Sequence, residues 1–404
     1  VSATPSNIAL KGMGGVGSSE SSNVVFKVLD TTGGIKPGTD VTFALNTSVG
    51  GIKLSTTTAK SDASGLASTV VQSGTVALPV SVIATIQGPN GPISTQSTGM
   101  AISGGIPSQK YFSLSVDKFN PEGFDIDGNT VAITARLADR FGNPVPDGTT
   151  VSFNTRDDAA GGSVSGGTGG SGSCSTANGV CSVTWTSQNP RPAVTSLSNV
   201  GQALILVYAA PGEEGFNDTN GNGIFDAGDS FTDEGEIYAD AAAGAYRLGD
   251  NYFDFNQDGS YTAANGKWDG VNCQDTSRCG GSQVAVGGSV CIVMAGSTAV
   301  MTPSTTSVTA PGPVVFTITD ENGNTLPSGT SVKLVPPPSG NASAAAVPTS
   351  YTVGNVGCGA QDPFFLVNVT KSDSTKPATG SFYLEATTPG GVVTDSVAVT
   401  VNIP

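Results

Sequence analysis

The residues with chemistry to offer stand together in one segment. Asp218-Thr219-Asn220-Gly221-Asn222-Gly223-Ile224-Phe225-Asp226-Ala227-Gly228-Asp229 carries oxygen-bearing side chains at its first, third, fifth, ninth and twelfth positions. Glycine holds the sixth position and an aliphatic residue the seventh. That spacing winds a loop round a hard cation. Alternate side chains turn inward, Gly223 makes the sharp bend, and Ile224 offers its carbonyl oxygen. The expected ion is calcium, held by Asp218, Asn220, Asn222, Ile224, Asp226 and Asp229; a solvated turn is the alternative. Asp229 is shorter than the usual glutamate at position twelve, which lowers the expected affinity. Extracellular calcium sites work at roughly 10⁻⁴–10⁻³ M.

A second copy follows. Asp254, Asn256, Asp258 and Gly259 keep positions one, three, five and six, and Ser260, Thr262 and Asn265 fill the other ligand positions. Asn265 is neutral, so two carboxylates must serve unless Asp269 helps. Between the two loops, Asp240 to Asp250 reads as a decayed copy one residue short, with Ala242 and Gly244 where oxygens should stand. No full site is expected there. The loops resemble EF-hand and dockerin-type calcium loops, the latter using Asp at position twelve.

Both loops lie in a segment that breaks the pattern of the chain. From Glu213 to Asp269 there are 13 of the 32 acidic residues, opposed only by Arg247 and Lys267. A bare acidic run stays solvated. This one also holds 10 of the 26 aromatic residues, which argues that it folds. Phe225, Tyr246 and Tyr261 follow the loop glycines, and Phe216, Tyr238 and Tyr252 precede each first Asp by two. We expect these rings to form a small core; a carbohydrate-binding platform including Trp268 is the alternative.

Other chemistry is largely excluded. The chain has 404 residues and no histidine, which removes the usual general base and the commonest transition-metal ligand. Paired carboxylates can hydrolyse glycosides without histidine, but the acids here sit at calcium-ligand spacing, so no enzyme is expected. A net charge of −15 argues against nucleic acid. No stretch approaches the roughly 20 apolar residues of a membrane helix. The first residue is Val1, which suggests a processed chain. The six cysteines contain no Cys-x-x-Cys pair. Short spacings favour structural disulfides in an oxidising compartment. Proximity suggests Cys174–Cys181, Cys273–Cys279 and Cys291–Cys358; buried free thiols are the alternative.

The elements that must position the loops repeat along the chain. One copy runs Val25 to Asp30, then a Gly/Thr turn, then Lys36 to Phe43. The next runs Ile133 to Asp139, then Phe141 to Phe153, and the third Val315 to Asp320, then Asn322 to Leu334. Each alternates apolar and polar residues, breaks at Asp with Gly or Asn, and alternates again. Period-two alternation predicts half-buried strands. Asp30, Asp139 and Asp320 stand at one equivalent place, where a carboxylate accepts turn N–H groups. About seven short strands per ~100 residues predict β-sandwiches.

The pattern Asp, Gly-Asn-x-x-Pro-x-Gly-x-x-Val-x-Phe, clearest at Asp139–Phe153 with Gly179–Trp185, resembles bacterial immunoglobulin-like repeats of the invasin/intimin type. The resemblance implies an all-β chain of three tandem Ig-like β-sandwiches carrying a small loop-rich calcium-binding insert. The expected units are 1–103, 104–211 plus 281–297, the insert 212–280, and 298–404. Short Gly/Pro joints at 102–108 and 297–302 suit a semi-rigid rod. The resemblance further implies a bacterial cell-surface or extracellular structural protein: an adhesin, stalk or filament subunit meeting a protein or glycan at a cell surface, or copies of itself. A calcium-dependent carbohydrate-binding module is the alternative.

Overall fold

The computed structural model describes all residues except 15–18, 156–160, 167–171, 194–199, 240–244, 282, 336–340, 348 and 360–363. The chain is all-β, a series of Ig-like β-sandwiches. Helix is limited to short 3-10 turns such as Val49–Gly51 and Gln109–Tyr111 among the described residues.

Period-two patterning does what it must. In Ser21–Lys27 the buried side are Ser22, Val24 and Phe26; in Thr130–Arg136 it is Val131, Ile133 and Ala135; in Gly312–Asp320 it is Val314, Phe316, Ile318 and Asp320. Each strand pairs antiparallel with a later one: Leu66–Gln72, Val180–Thr186 and Phe364–Lys371 respectively. A second sheet closes each unit, and three separate apolar cores result. Trp185 fills the middle one, and its Nε1 donates to the Gly161 carbonyl at 2.8 Å. Burying that ring without a partner for its N–H would cost part of the gain.

Gln202–Gly212 departs from alternation, because it is buried along both faces. Ala203, Ile205, Val207 and Ala209 enter the middle core. Leu204 and Leu206 face a second cluster with Ile237 and Ala239, and Tyr208 stacks on Phe253 at 3.8 Å. A strand covered on two sides needs a continuous apolar run. The second cover is the acidic insert, which leaves at the end of this strand and returns into its antiparallel neighbour Val284–Val293.

All three disulfides expected from proximity are formed: Cys174–Cys181, Cys273–Cys279 and Cys291–Cys358. The intact chain should therefore be six protons lighter than its reduced form by mass spectrometry. A mass equal to the reduced form would exclude the bridges.

Short linkers join the sandwiches through buried polar contacts. At the later joint, Asn120 donates to the Leu326 carbonyl at 2.8 Å, and Glu122 accepts from the Thr388 hydroxyl and the Gly390 N–H. Glu321 lies beside Asp125 there, and burial together with that carboxyl pushes it up from 4.5 to about 7. The folded chain then binds a proton that the unfolded chain gives up at lower pH. Stability from this group accordingly falls as pH rises through that window. Acidifying from about pH 8 to about pH 6 should raise the melting midpoint more in the parent chain than in Glu321→Gln. Equal slopes in the two chains would remove Glu321 as the cause.

Candidate functional site

The insert is built on short strand pairs rather than helices. Phe216–Asn217 pairs with Ser230–Phe231, so the first loop, 218–229, is the connection of a hairpin. Tyr238–Ala239 pairs with Asn251–Tyr252, just ahead of the second loop. Behind the first loop Phe216, Phe225 and Trp268 form a buried aromatic cluster, with Phe225 stacked on Trp268 at 5.0 Å. Trp268 is fully buried, so it offers no face to a sugar. The decayed copy falls partly outside the described residues, which include neither Asp240, Ala242 nor Gly244; Asp250, its last residue, is buried.

The first loop folds on its own carboxylates. Asp218 Oδ1 accepts the N–H of Gly221 at 2.7 Å and of Asn222 at 3.2 Å, and its Oδ2 accepts that of Gly223 at 2.7 Å. Asn220 Oδ1 accepts the Asn222 N–H, and Asn222 Oδ1 accepts the Ile224 N–H. The Nδ2 groups of Asn220 and Asn222 both point at the Asp226 carboxylate. Asp229 closes the loop: Oδ1 accepts the Thr219 N–H at 2.9 Å and Oδ2 the Asp226 N–H at 3.0 Å. Burial raises the Asp229 pKa, but the Thr219 and Asp226 donors, with Arg278, outweigh it and hold the carboxyl below its ordinary value.

The second loop repeats this register. Asp254 accepts the N–H of Asp258 at 3.1 Å and of Gly259 at 2.8 Å. Asn256 Oδ1 accepts the Asp258 N–H, and Asp258 Oδ1 the Ser260 N–H. Asn256 Nδ2 reaches the Thr262 hydroxyl at 2.9 Å, as Asn220 reaches Asp226. Position twelve differs. Asn265 turns away, its N–H to Asp233 and its Nδ2 to Asp269. Glu236 closes the loop instead: Oε1 accepts the Phe255 N–H at 2.9 Å and Oε2 the Thr262 N–H at 2.9 Å. Those are loop positions two and nine, the two that Asp229 caps in the first loop. Sequence reasoning missed Glu236 because it lies 18 residues ahead of Asp254, outside any loop motif.

The donor set around each loop is oxygen only, which suits a hard cation. Among the described residues no three acidic or thiol side chains converge closely enough to hold a metal by themselves. Asn220 and Asn222 would have to turn oxygen toward Asp226 in place of Nδ2, an exchange of two atoms nearly alike in shape.

The first loop is also wedged between sandwiches. The Thr75 hydroxyl of the first sandwich donates to the Asn222 carbonyl at 2.9 Å, and Arg140 of the second donates to the Gly223 carbonyl at 2.9 Å. A Cβ on Gly223 would lie 1.9 Å from the Thr75 carbonyl oxygen, so only glycine fits between them. Asn272 donates to the Lys11 carbonyl at 2.7 Å, and Val271 packs on the core of the first sandwich. Burial pushes Glu214, between Glu234 and Asp269, up to about 7 despite the N–H donors of those two residues.

No protein-family model and no curated protein matches the chain. Several solved structures are similar to it at low identity. Invasin, a bacterial integrin-binding protein, is 14% identical with a TM-score of 0.30; the match covers all of this chain and 59% of invasin's, so the chain spans about three-fifths of it. FdeC, an Escherichia coli adhesin, is 12% identical with a TM-score of 0.41, covering all of this chain and 95% of that one. The D0–D1 domain of intimin is 18% identical with a TM-score of 0.23, over 52% of this chain and 89% of that one. Among the described residues no helix is long and apolar enough to cross a membrane.

Proposed function

We propose that the chain is a non-enzymatic, calcium-stabilised rod of Ig-like sandwiches, serving outside the cell or at a bacterial surface as an adhesin, stalk or filament subunit. The observation that carries this reading is the wedging of the first loop between Thr75 of one sandwich and Arg140 of the next. A loop that only bound an ion would not need to touch both. Asp218, Asn220, Asn222, Ile224, Asp226 and Asp229 would hold one cation. Asp254, Asn256, Asp258, Ser260, Thr262 and Glu236 would hold another. Calcium, when bound, supplies positive charge that offsets the clustered carboxylates. Disulfides support an oxidising compartment. The rod would meet a protein or glycan at a cell surface, or copies of itself.

Solution scattering and negative-stain imaging of the chain in calcium test this reading. An elongated particle one sandwich wide is expected, bending more freely after chelation. A compact globule, or polysaccharide turnover that survives chelator, would overturn it. Burial of Trp268 counts against a carbohydrate-binding module built on that ring.

A further inference from the structure

The same turn stands at the equivalent place of three sandwiches, at Asp30–Gly34, Asp139–Asn143 and Asp320–Asn324. In each, the Asp N–H donates to the carbonyl four residues on, at 2.8, 2.8 and 2.7 Å. In each, Oδ1 accepts two backbone N–H groups: Thr32 and Gly34, Phe141 and Asn143, Asn322 and Asn324. The glycines Gly33, Gly142 and Gly323 share a φ of +85, +80 and +78°. The same bonds recur at Asp62–Leu66, inside the first sandwich, with Gly65 at a φ of +73° and no donor on Oδ2 among the described residues, so what sets the three apart is their equivalent place at the leading end of each sandwich.

What differs is the second carboxylate oxygen. Asp139 Oδ2 accepts the N–H of Gly104, and Asp320 Oδ2 that of Gly296 at 2.8 Å. Both glycines follow the last strand of the preceding sandwich, Met100–Ser103 and Val284–Val293. Gly104 has no room for a side chain, and one at Gly296 would have to push the Glu321 carboxylate aside. A Cβ on Gly104 would lie 1.9 Å from Asp139 Cβ, and one on Gly296 would lie 2.2 Å from Glu321 Oε1. Asp139 and Asp320 are buried by this contact. In the first copy, residues 29–38 are all exposed, and Asp30 Oδ2 meets no donor among the described residues. Leu29 and Ile35 flank it, 46% and 50% exposed.

A second feature of the same end agrees. The late hairpin of the third sandwich, at Thr388 and Gly390, reaches back to Glu122 of the second. In the second sandwich the insert takes that hairpin's place, and it reaches back to Thr75 and Lys11 of the first. In the first sandwich the corresponding hairpin joins Val82–Gly88 to Gly91–Gln96, whose Ile93 is 57% exposed.

We infer that the Asp30 end of the first sandwich is a docking seat for another Ig-like sandwich preceding it in the same polypeptide. The occupant gives a glycine N–H, just past its last strand, to Asp30 Oδ2, and covers Leu29 and Ile35. Both filled seats in this chain are occupied in that way, by the sandwich ahead. The seat does not depend on the cation loops.

The test uses the full chain extended ahead of Val1 by a further copy of residues 1–103 and the linker Gly296–Thr302. It is compared with the same chain carrying Asp30→Asn in the acceptor sandwich. Asparagine keeps Oδ1 for the turn but replaces the second acceptor with a donor. Asp30 should give a narrow distance distribution between spin labels on the two sandwiches. It should also slow exchange of the linker glycine amide roughly tenfold or more relative to Asp30→Asn. Equal breadth and equal exchange in the two chains would overturn the seat. So would concentration-dependent dimerisation of the unextended chain that Asp30→Asn abolishes, because it would place a second copy there.

Discussion

Replacing Arg140 by alanine should destabilise the joint between the first two sandwiches by about 3–5 kcal/mol, the usual cost of stripping one partner from a buried ion pair. Its side chain is 2% exposed and that of Glu213 0%. Nε and Nη2 grip both oxygens of Glu213, Nη2 also reaches the Val271 carbonyl at 2.8 Å, and Nη1 the Gly223 carbonyl at 2.9 Å. The guanidinium lies over Phe216 at 5.0 Å and near Trp268 at 5.4 Å. Alanine would leave Glu213 buried with its pKa already raised by burial, and Arg140 no longer opposing the rise. Lysine should not rescue, since one ammonium cannot serve a carboxylate fork and two carbonyls. Arg140→Met with Glu213→Leu should recover much of the loss, because no charge is then stranded. Denaturant unfolding followed separately in each sandwich measures this. A loss below about 1 kcal/mol in Arg140→Ala would show that the pair does not hold the joint.

Much of the fold was legible because strands announce themselves locally. Val24 and Phe26, or Ile133 and Ala135, alternate with polar residues in any reading of the sequence. The turn aspartates were legible as acceptors for turn N–H groups, since an Asx turn is a local event. Their second role was not. Nothing near Asp139 in sequence says that Gly104, 35 residues earlier, will donate to it. Arg140 was hidden for a related reason: its equivalent Thr31 is exposed, and Glu321 keeps much of its surface in water although its carboxyl packs on Gly296, so the repeat does not mark the position as buried. The continuous run at Ala203–Ala209 was visible, but its cause was not. Only the folded insert shows why both faces had to be apolar. The oxygen-bearing loop positions up to the ninth stand out by spacing, and the structure shows their side chains bonded within the loops. The last carboxylate of the second loop was not, because Glu236 arrives from another strand of the insert.

Chelation should lower the melting midpoint of the insert and loosen the first joint, if the two loops hold calcium as proposed. At roughly 1 mM calcium and dissociation constants of roughly 10⁻⁴–10⁻³ M, each site adds about 0.4–1.4 kcal/mol by mass action. Asp218→Ala with Asp226→Ala should remove the first contribution and leave the second. Glu236→Gln should do the reverse. Glutamine keeps one acceptor oxygen, so the Phe255 or Thr262 N–H can stay bonded while the charge is lost. The two loops should differ in consequence. Losing the first frees the Asn222 and Gly223 carbonyls that Thr75 and Arg140 hold, so the angle between sandwiches should vary. Losing the second should soften only the insert, where Phe253 and Phe255 cover Leu204 and Leu206. Calorimetry with and without chelator, beside titration of terbium luminescence, separates the cases. An unchanged midpoint in chelator would end the calcium reading. A changed midpoint with Glu236→Gln indistinguishable from the parent chain would keep the ion in the first loop and remove it from the second.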